Sequence, residues 1–115
     1  MKTLKNCIKL SSQVKIYVPS TMNVNENFDS IAWVDKTLEL LSKEFGGATS
    51  TAALGAWVSN QGDLIKEKIT MVFSYAKQEQ LERSIDKIYD FCLTMKIELK
   101  QEAIAIEVNG ELYLI

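Results

Sequence analysis

Two stretches of this chain repeat their apolar residues every three or four positions, and the segments around them alternate or run β-branched. In the first, Ile31, Val34, Leu38, Leu41 and Phe45 form one stripe. Asp29 or Ser30 can cap it, and Gly46 and Gly47 stop it. In the second, Leu81, Ile85, Ile88, Cys92, Met95 and Leu99 share a face of a helix expected over 78–101. Glu79 and Glu82 near its start and Lys96 and Lys100 near its end suit the helix dipole. Val14–Val18 alternates and reads as a strand ended by Pro19. Thr49–Val58 and Leu64–Tyr75 read as a hairpin around the turn Ser59–Asp63. Asn109-Gly110 marks a second hairpin between Ala103–Val108 and Glu111–Ile115. The order β-α-β-β-α-β-β predicts an α+β fold. Its sheet should be mostly antiparallel with both helices on one face, ferredoxin-like with an added C-terminal strand. Residues 1–13 are expected as an N-terminal extension or edge strand, and 14–115 as one α+β domain.

Composition narrows the chemistry. The net charge is −2, and Arg83 is the one arginine against twelve lysines. Arginine does most bidentate phosphate and guanine reading, so a nucleic-acid partner is not expected. The absence of histidine removes histidine bases, Cys–His and Ser–His pairs and most zinc sites. Cys7 and Cys92 form no motif and read as reduced thiols. The acids Glu39, Glu44 and Asp86 are scattered, and Asp86 and Asp90 share a lysine-bearing solvent face. The chain therefore reads as a non-enzyme without cofactor or metal. The N-terminal ten residues mix lysine with apolar residues, unlike a secretory signal, and no run could span a membrane. A cytoplasmic location is expected.

Several residues could meet a ligand. Gly46, Gly47, Thr49 and Ser50 can turn backbone N–H groups toward an anion, although a helix stop explains the same residues and no P-loop follows. In the strand from Leu64, the odd positions Ile65, Ile69, Met71, Phe73 and Tyr75 look buried, and Glu67 shares their face. A carboxylate there needs a partner or a ligand. Lys66 and Lys68 on the opposite face can hold a phosphate or be solvated. Tyr17 and Trp57 are stacking surfaces or packing residues. The loop after Pro19, with Ser20 and Thr21, is a lid or an ordinary capping loop.

The runs Lys15–Thr21 (KIYVPST), Phe45–Thr49 (FGGAT), Gly55–Trp57 (GAW) and Gly62–Leu64 (GDL), with Glu67, resemble small proteins of Gram-positive bacteria and their phages. Within that group the chain resembles the Thoeris anti-defence sponges, phage proteins that bind a cyclic ADP-ribose-type immune signal. The resemblance implies a non-enzymatic protein that sequesters a small anionic nucleotide-derived signal at a homo-oligomer interface, in the host cytoplasm. Backbone amides near Gly46–Ser50 and a lysine would hold phosphates, and an aromatic ring would stack on the base. A protein-binding inhibitor of a host nuclease, and a small ferredoxin-like enzyme using Glu67, are the alternatives.

Overall fold

Strand β1 (Ser12–Pro19) alternates as its sequence predicts. Val14, Ile16 and Val18 are buried on one side, while Gln13, Lys15 and Tyr17 are half-buried on the other. The computed structural model describes residues 2–22, 26–27 and 30–115, apart from the side chains of 21, 22, 26 and 27. β2 (Thr21–Met22) and β3 (Glu26–Asn27) form a small ribbon after β1. Residues 23–25 of the expected lid and the candidate cap Asp29 lie outside the described residues. Then follow α1 (Ser30–Phe45), β4 (Thr49–Val58), β5 (Leu64–Ala76), α2 (Gln78–Glu98), β6 (Ala105–Val108) and β7 (Glu111–Leu114). Ahead of β1, Thr3–Asn6 form one exposed 3-10 turn.

The main sheet has the order β4-β5-β1-β6-β7, antiparallel throughout. This is the ferredoxin-like arrangement with β7 added at one edge, as the order of elements predicts. Both helices lie on the face carrying Val14, Ile16, Val72 and Ile106, where Leu41, Ile88, Cys92 and Met95 complete the core. Trp33 of α1 meets Phe91 of α2 edge-on, with ring centroids 5.8 Å apart. Burial pushes the Cys92 thiol up to about 12, so it is an inert core residue.

Two expectations are corrected. Ile31, counted in the α1 stripe, is 70% exposed, and Trp33 and Thr37 are buried instead. The Thr37 hydroxyl donates to the Trp33 carbonyl at 2.7 Å, which lets a polar residue sit in the core. In β5 the helix-facing residues are the even ones, Val72, Ser74 and Ala76. The odd set, with Glu67, faces away from both helices and is at most half-buried. That face looks like a core face because it is apolar, yet neither helix covers it.

The helix ends follow local rules. Gly46 is left-handed (φ 93°), and its N–H donates to the Ser42 carbonyl at 2.8 Å. α2 ends earlier than expected because Lys100 takes the left-handed position (φ 52°). Its N–H donates to Ile97 O at 3.3 Å and that of Gln101 to Lys96 O at 3.0 Å, the paired bonds of a Schellman ending. At the other hairpin, Asn109 and Gly110 (φ 52° and 82°) make the tight turn. Asn109 also bolts that turn to β1, accepting from the Gln13 N–H and donating its own N–H to Gln13 O, both at 2.9 Å.

A side chain in the left-handed region costs roughly 1 kcal/mol. Gly46→Ala should therefore lose about 1 kcal/mol in urea unfolding. Gly47→Ala, whose added methyl would meet nothing within 4 Å, should stay within about 0.5 kcal/mol of the parent. Lys100→Gly should gain up to about 1 kcal/mol.

Candidate ligand-binding site

Pairing fixes which side chains meet on the open face. β1 sets Lys15 opposite Phe73 and Tyr17 opposite Met71 on one side, and Lys15 opposite Glu107 of β6 on the other. Paired residues point the same way, so side chains from three strands converge. Lys15 Nζ lies 3.5 Å from Glu107 Oε2, with both side chains about a quarter exposed (24% and 25%). The Tyr17 hydroxyl donates to the same oxygen at 3.4 Å. Lys15 Nζ also stands 5.9 Å from the centre of the Phe73 ring, and Phe73 meets Tyr75 edge-on at 6.2 Å. The result is a half-buried carboxylate held by an ammonium and a phenol, beside two aromatic rings.

Phe73 and Tyr75 also line an open cleft of about 440 Å³ with Leu10, Phe45, Gly46, Gly47, Ala48 and Thr49, the last standing beside Phe73 as its cross-strand partner. The volume falls within the ~300–1,000 Å³ of small-molecule sites. The Ser74 hydroxyl donates to the Gly47 carbonyl from the helix side, which ties this loop to β5. Three of the loop residues singled out from the sequence, Gly46, Gly47 and Thr49, thus border a real cleft. Ser50 is exposed, and its partner Val72 places it on the helix side of the sheet.

The other candidates lie elsewhere. Glu67 stands opposite Gly55, six residues along β5 from Phe73, about 20 Å at strand rise. Trp57 lies farther out, opposite Ile65, and Lys66 and Lys68 are exposed on the other face of the same ribbon. The Ser20 hydroxyl donates to the Lys68 carbonyl at 2.5 Å. Thr21 belongs to β2, and its side chain is outside the described residues. Tyr17 sits between the two groups. The sequence reading passed over Lys15, Phe73, Tyr75 and Glu107, because only the register of β1 against β5 and β6 brings them together. Among the described residues, no cluster of acids and cysteines could hold a metal ion, and no helix is long and apolar enough to cross a membrane.

No family model matches this sequence. No characterised protein is significantly similar to it in sequence. Solved structures do share its fold. A phage SAM lyase in complex with S-methyl-5′-thioadenosine superposes with a TM-score of 0.67 at 16% identity, over 94% of this chain and 91% of that one. A phage SAM lyase in the apo state gives 0.62 at 19% identity, over 91% and 88%. A Bacillus cereus protein related to NIF3 gives 0.52 at 13% identity, over 90% of this chain and 25% of that one. At the level of fold, the expected likeness to phage proteins holds. The expectation that the chain is not an enzyme is corrected, since two of the structures sharing its fold are of a lyase.

The contacts of Glu107 are partly wet, so they should stabilise little. Glu107→Gln and Tyr17→Phe are each expected to cost less than about 1 kcal/mol in urea unfolding, and a double-mutant cycle should show coupling below about 1 kcal/mol.

Proposed function

We propose that this chain binds an S-adenosylmethionine-type nucleoside on the open face of its sheet and cleaves a carbon–sulfur bond in it. The observation that carries this reading is the fold shared with a phage SAM lyase over nearly the full length of both chains, in a structure that holds S-methyl-5′-thioadenosine. A phage or mobile-element origin, and a role against host defence, belong to the same reading.

The chemistry suits a chain without histidine. The sulfonium of S-adenosylmethionine carries a methyl, an adenosyl and an aminocarboxypropyl group. Methylthioadenosine keeps the first two, so the broken bond joins sulfur to the third. The substrate's own carboxylate oxygen attacks that group's carbon bonded to sulfur and closes a five-membered lactone. The electron pair of the broken bond passes to sulfur, and a neutral thioether departs without a proton transfer. General acids at the leaving group, the usual task of histidine or a raised carboxyl, are unnecessary. The protein's task is orientation and partial exclusion of water.

The residues on the open face fit such a ligand. Lys15 and Glu107 (3.5 Å apart) offer each charge of a zwitterionic amino acid its opposite. Tyr17 orients Glu107 through its hydroxyl. Phe73 and Tyr75 offer aromatic surface to the base or to the sulfonium cation. The cleft beside Gly46–Thr49 would take the remainder of the nucleoside. A cationic ligand also explains why one arginine suffices. Sequestration of a cyclic ADP-ribose-type signal in the same cleft is the finer reading that the resemblance implies, and the same assay separates it.

Incubation of the full chain with S-adenosylmethionine should release methylthioadenosine, followed by chromatography and mass spectrometry. Glu107→Gln should lower turnover at least tenfold with its melting temperature nearly unchanged. A melting temperature raised by a cyclic ADP-ribose isomer, without turnover of S-adenosylmethionine, would overturn the lyase reading in favour of sequestration. No turnover and no response to either nucleoside would remove both.

A further inference from the structure

β5 pairs with β1 only through residues 69–76, so beyond Ile69 it continues with β4 as a two-stranded arm. The chain is long, with extents of 54 × 27 × 21 Å and a radius of gyration of 15.7 Å, against about 13 Å for a compact domain of this size, and the arm contributes to that length. An isolated two-stranded ribbon is marginal in water, yet this one is apolar. Leu54 (62% exposed), Val58 (66%) and Leu64 (59%) share its helix-side face, and Trp57 (48%) lies on the other. Lys66 and Lys68 interleave with the first three, and neither forms an ion pair among the described residues.

The opposite edge of the sheet carries a complementary surface. A cleft of about 530 Å³ opens between α2 and the β6–β7 hairpin, lined chiefly by Ile85, Tyr89, Tyr113 and Leu114. Three acids lie close to it. Glu82 and Asp86 lie within one helical turn of Ile85 and Tyr89 on α2, and Glu111 accepts from the Tyr113 hydroxyl at 3.1 Å.

We infer that the β4–β5 arm of one copy docks in the α2/β6–β7 cleft of a second copy. β4 and β7 are the two outer strands of one five-stranded sheet, about 19 Å apart at strand spacing. The two surfaces stand at opposite edges of one sheet and cannot meet within a copy, whereas a neighbouring copy satisfies both. Apolar side chains meet an apolar cleft, and two lysines meet two or three acids. Arm and cleft are different patches, so repetition of the contact builds a head-to-tail assembly of identical chains, a ring where the rotation between copies closes and a filament where it does not. This is a more definite form of the homo-oligomer expected from the sequence, and it is independent of which nucleoside the open face takes.

The test is mass by light scattering on the full chain at micromolar concentration. The wild type should give a multiple of 13.0 kDa. Lys66→Glu with Lys68→Glu should fall to monomer with an unchanged circular dichroism spectrum. Adding Glu82→Lys and Asp86→Lys to that variant should restore the assembly. Leu64→Glu with Val58→Glu, both exposed on the ribbon, should also give monomer. A monomeric wild type, or an assembly indifferent to the arm substitutions, would overturn the docking, and so would failure of the charge swap to restore mass.

Discussion

The structure depends on the pairing of β1 with strands on both sides. Its buried residues Val14, Ile16 and Val18 anchor the sheet to the helices, and burial of three such side chains removes several kcal/mol of apolar surface cost. That anchoring fixes the register, because a slip of one residue would turn all three to the open face. The same register places Lys15 and Tyr17 on that open face. It brings Phe73 from β5 and Glu107 from β6 to meet them. The candidate site is thus the reverse side of the core strand, and the interactions that stabilise the one position the other. This explains how a weak ion pair can be well placed. Lys15 and Glu107 need contribute little to stability, since neither has to hold the strands together.

The local signals in the sequence are read correctly where the backbone itself demands a residue type. Asn109-Gly110 marks its turn because two successive left-handed residues are needed there, and Gly46 marks a helix end for the same reason. Lys100 does the work of a glycine without being one, so the end of α2 is displaced in the sequence reading. The pattern also misleads where it counts only apolar residues. Thr37 satisfies its hydroxyl within its own helix turn and is buried as readily as a valine. The odd face of β5 is the stronger case. Ile65, Ile69, Met71 and Phe73 are the more apolar set, yet the helices lie on the other side. No property of β5 alone decides which face the helices cover, since that follows from chain connectivity across the sheet.

The site was less legible than the fold, for a related reason. Its members come from residues 15–17, 73–75 and 107, and pairing alone brings them together. The Gly46–Thr49 loop stands out in the sequence because glycines are conspicuous, and it does border a cleft. Glu67 stands out because it breaks an apolar alternation, but it is set on the arm, roughly 20 Å along the strand from that cleft. Conspicuousness in an alternation measures local exception. A binding site also needs convergence, which only tertiary pairing supplies.

The absence of histidine carries different weight once the chemistry is considered. A reaction that must protonate its leaving group or deprotonate its nucleophile needs a group titrating near neutrality. Departure of a thioether from a sulfonium under attack by the substrate's own carboxylate needs neither, because the leaving atom already carries positive charge and the attacking oxygen is already deprotonated. Aromatic faces and fixed charges then suffice, and those are what the open face offers in Phe73, Tyr75, Lys15 and Glu107. Such a surface is shallow, and a half-exposed cation–carboxylate pair works poorly in bulk water, where its attraction falls to about 1 kcal/mol at 4 Å. A catalytic role would therefore require this face to be covered when the ligand is bound.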